Sequence, residues 1–291
     1  MRETLLLDVP HRQVVFTIPK MLRVFFKYKR RLLGDLCRCA LRSLTCYFEV
    51  VTGSALTPGV IAAIQTFGDR VNLHPPLHFL VTKGGTDATA ASPVLMNMSA
   101  DVFQKIPRID DSRLTEIFAR EVLTFLAGRE ILSPEWAERI LSWRHTGFNV
   151  HSLVRTKTKP EAERVGKDII RPLLALERLT FLEPEGKVGY RWGRDGAEQE
   201  TMDYLEFIAR VTSPIPDQGQ VMVRYHGLYA NAHRGKVKKA SWSPSALRMV
   251  EEELRRLPSK GWAEMIRKVY EVDPMACPDS EASRRTDEAS P

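Results

Sequence analysis

The stretch NLHPPLHFLVTKGG (72–85) is the most informative part of this sequence. Its apolar run predicts a buried core strand that ends in a hairpin or loop. His74 and His78 would share one face of an extended strand about 13 Å apart, too far to bind one metal ion without a bend. Pro76 stands two residues before His78, where a close metal-binding partner would be. From these residues alone, the two histidines are either structural or metal ligands.

On the N-terminal side, residues 11–19 predict a second strand, and residues 20–48 have the periodicity of a long helix. One face of that helix carries eight basic residues against the single acid Asp35, and it is either solvated or in contact with phosphates. The eight are Lys20, Arg23, Lys27, Lys29, Arg30, Arg31, Arg38 and Arg42. Residues 58–71 predict a short helix with proline in its first turn.

On the C-terminal side, the small and polar residues 86–101 predict a flexible excursion. Helices are predicted at 111–131, 133–143, 158–171 and 201–212, and two further ones at about 244–256 and 259–270. Strands are predicted at 148–154 and 220–227, with a β-hairpin between 176 and 193. The irregular alternation of strands and helices, with a hairpin among them, favours an α+β fold that contains antiparallel strands.

Composition limits the function classes. With 291 residues, 43% of them hydrophobic, the chain can bury a sizeable core. Its net charge of +7 and pI near 9.3 favour a polyanionic partner. No apolar run is long enough to predict a membrane span, and the first residues do not resemble a signal peptide. Four cysteines are too few for a disulfide scaffold, which favours a reducing cytoplasm.

The stretch 72–85 resembles the metal-binding strand of the HUH-superfamily two-tyrosine rolling-circle transposases of insertion sequences, which include the ISCR common-region elements. That strand carries a histidine, a hydrophobic residue and a histidine within a longer histidine-proline-histidine string. Three more segments resemble family blocks in the same order: VVFTIPKMLR (14–23), IIRPLLALERL (169–179) and EFIARVTSPIPDQGQVMVRYHGLYA (206–230). The resemblance implies an α+β fold whose central antiparallel sheet, of HUH-nuclease type, has helices packed on its faces.

The resemblance also implies a chemistry. Family enzymes nick one DNA strand through a tyrosine that becomes a 5′-phosphotyrosine, assisted by Mg²⁺ or Mn²⁺ on the histidine pair. His78 matches the second histidine of that pair, Pro76 replaces the first, and His74 matches an upstream histidine that is not a primary ligand. Asp168 occupies the position of the tyrosine. We therefore expect an incomplete metal site, with His78 as its ligand and His74 as a doubtful one, and no catalytic residue.

Basic and aromatic residues without an acid fill positions 224–239, a composition that suits either single-stranded or hairpin DNA or a solvated loop. Tyr225 and Tyr229 could pack in the core or stack on bases, and they would form a nucleophile pair only on a helix. The predicted DNA-binding residues are Arg171, Arg178, Arg224, Tyr225, Tyr229, Arg234, Lys236, Lys238 and Lys239.

The domain organisation follows from the same segments. We expect residues 1–48 to form an N-terminal strand and basic helix of the transposase domain, and residues 49–243 to form its HUH-like core. Residues 244–278 would be a C-terminal helical segment, and residues 279–291 a disordered tail. The cysteine-rich zinc module of the family has no counterpart, because Cys37, Cys39 and Cys46 fall inside the predicted helix.

Three functions stay open at this point. The first is a transposase that nicks and joins DNA strands in transposition and recombination, impaired by Pro76 and Asp168. The second is a truncated, non-catalytic remnant that binds single-stranded DNA. The third is a replication initiator or relaxase of the same superfamily. Each implies a DNA partner and no membrane, and a cytoplasmic protein associated with the bacterial nucleoid, whereas the oligomeric state is unknown.

Overall fold

The computed structural model describes residues 5–87, 103–106, 108–170, 173–193 and 196–240. Within this part of the chain, a seven-stranded sheet and a three-stranded sheet, both antiparallel, combine with helices into an α+β fold. The predicted fold class is therefore confirmed. The predicted helices and tail after residue 240, and almost all of the predicted excursion at 86–101, lie outside the described residues.

The strands are β1 (His11–Thr17), β2 (Leu56–Ile64), β3 (Leu77–Asp87), β4 (Gln104–Lys105), β5 (Asn149–His151), β6 (Arg155–Thr156), β7 (Leu179–Leu182), β8 (Lys187–Trp192), β9 (Glu198–Asp203) and β10 (Val223–Gly227). In the large sheet the order is β10–β2–β3–β1–β5, with β4 paired to β3 and β6 paired to β1. The small sheet has the order β7–β8–β9. The strand predicted within 72–85 is confirmed and lies at the centre of the large sheet.

The helices are α1 (Arg23–Tyr28), α2 (Leu32–Thr52), α3 (Asp111–Gly128), α4 (Pro134–Leu141), α5 (Lys159–Ile169), α6 (Tyr204–Thr212) and α7 (Asn231–Ala240). The sequence predicted α3 to α6 within a few residues, and Ser133 caps α4 as expected by accepting a hydrogen bond from Trp136 N at 3.3 Å. Among the described residues, no helix is long and apolar enough to span a membrane.

The large sheet has two different faces, because successive side chains of a strand point to opposite sides. On the face that we call the closed face, Phe16, Phe79 and Val81 pack against α2 and α3 in one large apolar core. On the other, which we call the open face, Ile61 and Leu80 pack against α5 and the N-terminal segment around Leu6. The open face is less completely covered, since Gln13 and His78 stay half-buried there.

Two predicted helices are wrong. Residues 58–71 contain β2 instead of a helix, because a strand buried on both faces has a continuous apolar run without alternation. Pro58, taken for a helix start, lies at a break in the β2–β3 register, where a strand tolerates the missing N–H. The predicted helix 20–48 is broken between α1 and α2, where Arg30 donates hydrogen bonds to the carbonyl oxygens of Ser213 and Ile215. Such tertiary contacts override helical propensity.

Candidate functional site

A row of neighbouring residues crosses the open face at the level of His78. Ala63 of β2 and Val15 of β1 lie directly opposite His78, and His151 of β5 lies directly opposite Val15. Residues directly opposite each other in antiparallel strands point to the same face, so both histidines lie on the open face. Two strand spacings separate their Cα atoms by about 10 Å. His78 is half-buried and His151 is exposed.

His78 has a polar neighbour on the adjacent strand. The side-chain amide nitrogen of Gln13 lies 3.3 Å from His78 Nδ1, which holds the imidazole ring against β1. Gln13 is opposite Leu80, two positions further along β3, and is half-buried like His78. This contact orients the ring of His78 on the partly open part of the sheet.

His74 does not share this strand. β3 begins at Leu77, and His74 lies in the β2–β3 connection, where its backbone N–H donates to Thr66 O at 3.1 Å. Burial and the nearby Arg23 lower the pKa of His74, which favours its neutral form. The expectation that His74 and His78 lie on one strand is therefore wrong, because the connection, with Pro75 and Pro76 buried, separates them.

The residues at the expected metal position do not fit a two-histidine site. Pro76 has no side-chain ligand atom, and His74 is held in the preceding connection. Across the part of the chain that the structure describes, no group of three or more histidine, cysteine, aspartate or glutamate residues could hold a metal ion. Two histidine ligands and further donors are what this chemistry would require.

Helix α5 lies over the open face and packs against β1 and β3. Ala162, Gly166 and Ile169 form its buried side, as the helical spacing of four and three residues requires. Asp168, at the predicted tyrosine position, is exposed in the last turn of this helix. The helix contains no tyrosine, and a carboxylate there repels a phosphate rather than attacking it.

An apolar cavity of about 240 Å³ adjoins the row at Ala63. The end of α5, the end of β2 and the segments around Pro214 and Met222 line it. Its polar side chains already have partners, because Thr66 Oγ1 donates to Pro214 O at 2.5 Å and the amide of Gln65 donates to Phe67 O at 3.2 Å. The cavity therefore presents apolar surface beside His78.

The structure separates Arg224 from Tyr225, which the sequence placed in one DNA-binding segment. Both residues are on β10, where they point to opposite faces of the sheet. The guanidinium of Arg224 lies against α2, so that a Cβ added at Gly34 would be only 2.7 Å from Arg224 Nη2. The guanidinium of Arg234 lies 5.4 Å from the centre of the Tyr225 ring, which brings these two predicted residues together.

Tyr229 is a core residue. Its side chain is 1% exposed and packs with Ile61 and Leu80 on the open face, under the N-terminal segment. Its hydroxyl is hydrogen-bonded to His11 Nε2 at 2.5 Å and accepts a hydrogen bond from Leu7 N at 3.3 Å. Burial raises the pKa of Tyr229 and lowers that of His11 to about 4. Its place among the DNA-binding residues is therefore corrected, because no base can reach its ring.

Of the other predicted DNA-binding residues, the structure describes the side chain of Arg178 alone. Arg178 belongs to the small-sheet region, where its Nη1 donates to Gly193 O at 3.3 Å. Arg171 lies outside the described residues. Lys236, Lys238 and Lys239 are on α7, and the structure does not describe their side chains.

The basic face of α1 and α2 is divided between paired and unpaired charges. Arg38 forms an ion pair with Asp35, and Arg42 forms one with Glu121. Arg30 lies 3.6 Å from Asp217. Four exposed basic residues have no ion pair with any described residue, namely Lys20, Lys27, Lys29 and Arg31. These four form the part of the face that is available to phosphates.

Comparison with known proteins identifies the family. Residues 59–237 match the family model Y2_Tnp, which is described as "Putative transposase". The chain belongs to this transposase family. The resemblance inferred from the stretch 72–85 and the three other segments is therefore confirmed, and the match covers both β3 and α5.

Two curated relatives of this transposase-family chain are known. It is 26% identical over 278 residues to "Transposase for insertion sequence element IS801" of Pseudomonas savastanoi pv. phaseolicola, across 93% of this chain and 65% of the relative. It is also 26% identical over 246 residues to "Putative transposase y4qJ" of Sinorhizobium fredii (strain NBRC 101917 / NGR234), across 80% of this chain and 62% of the relative. The chain thus spans a little under two thirds of each relative. No solved structure matches it significantly.

Sequence reasoning missed two residues of the site, Gln13 and His151. Alternation along β1 places Gln13 on the less buried face of that strand, which is a signal that the sequence contains. His151 had no such signal, because its position beside His78 depends on β5 pairing with β1, and this order of strands is set by tertiary structure.

Proposed function

We propose that this transposase-family chain binds DNA, with single-stranded or hairpin ends as its preferred form, and that its strand-nicking chemistry is impaired. One observation carries the proposal. α5 packs across the face that presents His78, as the nucleophile helix of a HUH transposase would, yet it offers the exposed Asp168 and no tyrosine. This arrangement supports a chain that still presents a DNA strand but lacks the attacking group.

Metal assistance is impaired for a related reason. Pro76 supplies no ligand atom, so the position two residues before His78 cannot contribute the second histidine ligand. Mg²⁺ or Mn²⁺, when bound at a complete site, would polarise the scissile phosphate. We therefore expect the affinity of this chain for DNA to depend little on divalent ions.

Charge supplies the affinity in this proposal. Four basic residues are exposed and have no ion pair with described residues, so they can neutralise phosphates without breaking an ion pair. They are Lys20, Lys27, Lys29 and Arg31. Tyr225, half-buried beneath Arg234, is the remaining aromatic candidate for stacking on a base. Binding of this kind would hold the chain on the bacterial nucleoid.

A second candidate is an active enzyme of the same superfamily, either a transposase that nicks and joins strands during transposition and recombination or a replication initiator or relaxase. The presence of Gln13 and His151 beside His78 on the open face favours it, since both carry possible ligand atoms. The lack of a tyrosine on α5 argues against it. A chelator separates the two candidates, because it should abolish the activity of a metal-assisted enzyme and leave DNA binding by charge almost unchanged.

The experiment is a titration of a fluorescent single-stranded oligonucleotide with the purified chain at several salt concentrations, followed by anisotropy. If about five phosphates are neutralised, log affinity should fall with log salt at a slope near −3.5. The triple variant Lys27→Ala/Lys29→Ala/Arg31→Ala should flatten the slope by about two units, at about 0.7 per lost contact.

The matched control is Arg38→Ala/Arg42→Ala, which removes charges of α2 that are already paired with Asp35 and Glu121. It should change the slope much less than the triple variant. Adding EDTA should leave the affinity of the wild type almost unchanged. An affinity that does not depend on salt, or one that EDTA abolishes, would contradict the proposal.

A further inference from the structure

Arg12 is the most unusual charged residue of the described chain. It lies on β1, points to the closed face and is only 3% exposed. Its Nη1 and Nη2 atoms are buried and have no hydrogen-bond partner among the described residues. A buried charge without hydrogen bonds is strongly unfavourable, so a bound group of opposite charge would stabilise Arg12.

The surroundings of Arg12 add positive charge. Arg155 of β6 lies directly opposite Arg12 on one side. On the other side, Val81 of β3 is opposite Arg12, and Lys83, two residues further along β3, points to the same face of the sheet. Arg108 is also close enough to disfavour the charged form of Arg12. Burial first, and Arg155 next, lower the pKa of Arg12. Four basic side chains therefore converge at this end of the closed face.

The nearby carboxylates already have other partners. Asp110 caps α3 by accepting hydrogen bonds from Ser112 N and Arg113 N, and it also lies 3.5 Å from Arg113 Nε. Asp111 accepts hydrogen bonds from Ser152 N at 3.2 Å and from Ser152 Oγ at 2.5 Å. Asp111 weakens the local positive charge, but no carboxylate of a described residue hydrogen-bonds Arg12.

Two adjoining cavities connect these basic residues. Arg108 and Arg155 line a cavity of about 430 Å³ at the start of α3, together with the two aspartates just described, whose carboxylates already accept hydrogen bonds. Arg12 and Lys83 line a much smaller cavity of about 10 Å³, and Ile109 forms a wall of both. The small cavity is at the lower limit for one water molecule, and a water molecule does not neutralise charge. The large cavity has room for an anion.

We propose that this cluster is a binding site for a phosphate group, which Arg108 and Arg155 contact in the larger cavity while Arg12 stabilises its negative charge from the adjoining buried position. Guanidinium groups match phosphate oxygens in geometry and charge. The phosphate is either part of a DNA backbone or a free phosphate or phosphate ester. Only the DNA source rests on the proposed function.

The first test compares thermal unfolding in inorganic phosphate and in chloride at equal ionic strength. Phosphate should raise the unfolding temperature of the wild type and of the control Arg120→Gln, an exposed arginine further along α3. In Arg155→Gln, the phosphate affinity obtained from this shift should fall at least about tenfold, as expected for the loss of a charge-assisted hydrogen bond.

The variant Arg12→Met tests the buried charge itself. Without phosphate it should unfold at the same temperature as the wild type or higher, because it removes a charge without a partner, and phosphate should stabilise it less than it stabilises the wild type. Equal stabilisation of all variants by phosphate, or none of the wild type, would overturn the proposal. So would a large loss of stability in Arg12→Met that phosphate does not affect.

The second test identifies the source of the phosphate with a short single-stranded oligothymidylate. If the oligonucleotide replaces the stabilising effect of phosphate and binds Arg155→Gln more weakly than Arg120→Gln, the site holds a DNA phosphate. If phosphate stabilises through Arg12 and Arg155 and the oligonucleotide has no effect there, the site holds a smaller phosphate compound. Both outcomes support the site, and a complete lack of DNA binding beside an intact phosphate response would contradict only the proposed function.

Discussion

The closed and the open face of the large sheet are built by the same strands but differ in what covers them. On β3, Phe79 points to the closed face and is fully buried by α2 and α3, whereas the preceding His78 points to the open face and stays half-buried beside α5. The closed face therefore contributes most of the packing energy, and the open face leaves the imidazole of His78 partly exposed.

Under the proposed function, this difference accounts for a fold that is kept while the nicking chemistry is lost. Asp168 is on the exposed side of α5, so exchanging a tyrosine for an aspartate there removes no core packing. Pro76 lies just before β3 and still accepts a hydrogen bond from Gln65 N through its carbonyl oxygen. Substitutions of this kind alter the site and leave the apolar core intact.

The largest effect is expected from adjacent residues of β3. Phe79→Ala should lower the free energy of unfolding by about 3–5 kcal/mol, because it leaves a cavity in the closed-face core. His78→Ala should cost less than about 1.5 kcal/mol, since it removes one hydrogen bond to Gln13 at a half-buried position. Urea denaturation measures both, and equal costs would show that the two faces do not differ as described.

Acid should lower the stability of the protein through His11, which lies on the open face. Burial lowers the pKa of His11 from 6.5 to about 4, so the unfolded chain binds a proton at a higher pH than the folded one does. The stability that neutral His11 contributes is therefore complete above pH 6.5 and is lost as the pH falls towards 4, by about 3 kcal/mol.

Urea denaturation at a series of pH values checks this prediction. Burial also lowers the pKa of His74 and His226, so the contribution of His11 has to be isolated with the variant His11→Gln. That variant should lose less stability between pH 7 and pH 4 than the wild type loses. An identical loss in both proteins would contradict the assignment.

Tyr229→Phe should cost about 2 kcal/mol of unfolding free energy. The change keeps the packed ring and removes the hydroxyl that binds His11 Nε2 and Leu7 N. Because the ring is buried, the affinity for single-stranded DNA should not change. Tyr225→Phe is the matched control, since no hydrogen bond joins its hydroxyl to the described residues. A weaker affinity of Tyr229→Phe for DNA, without a loss of stability, would restore Tyr229 to the DNA-binding surface.

The smallest effect on stability is expected from the residues that cap α3, on the closed face, and α5, on the open face. Asp110 caps α3 on the closed face with two hydrogen bonds, whereas Thr158 at the start of α5 makes no capping hydrogen bond with its side chain. Asp110→Ala should therefore cost about 1 kcal/mol and Thr158→Ala less than about 0.5 kcal/mol. Thermal denaturation can measure both costs, and a larger cost for Thr158→Ala than for Asp110→Ala would contradict this comparison.

The sequence predicted those elements whose signals are local. Ser133 and Pro134 mark the start of α4, and the turn at 184–186 marks the β7–β8 hairpin, so both were found. β2 was mistaken for a helix because its burial on both faces removes the alternation that identifies a strand. β9 was missed because its sequence EQETMD is acidic, and it forms by pairing with β8.

Less of the candidate site could be predicted. His78 and Asp168 were found through the family resemblance, which supplies the long-range information that periodicity lacks. Tyr229 was misplaced because a basic neighbourhood in the sequence does not reveal burial, which here depends on His11 and Leu7, more than 200 positions away. Arg12 was not singled out, because an isolated arginine in a strand gives no sign that the tertiary structure will bury it.

The proposed loss of strand nicking is tested most directly by a search for a covalent protein–DNA adduct. The wild-type chain is incubated with labelled single-stranded hairpin DNA and Mg²⁺ or Mn²⁺, and the products are separated on denaturing gels. We predict bound DNA in the parallel native gel but neither a nicked strand nor an adduct, because α5 has no tyrosine and Pro76 supplies no ligand atom. A metal-dependent adduct, mapped for example to Tyr225, would show that the open face is still an active site.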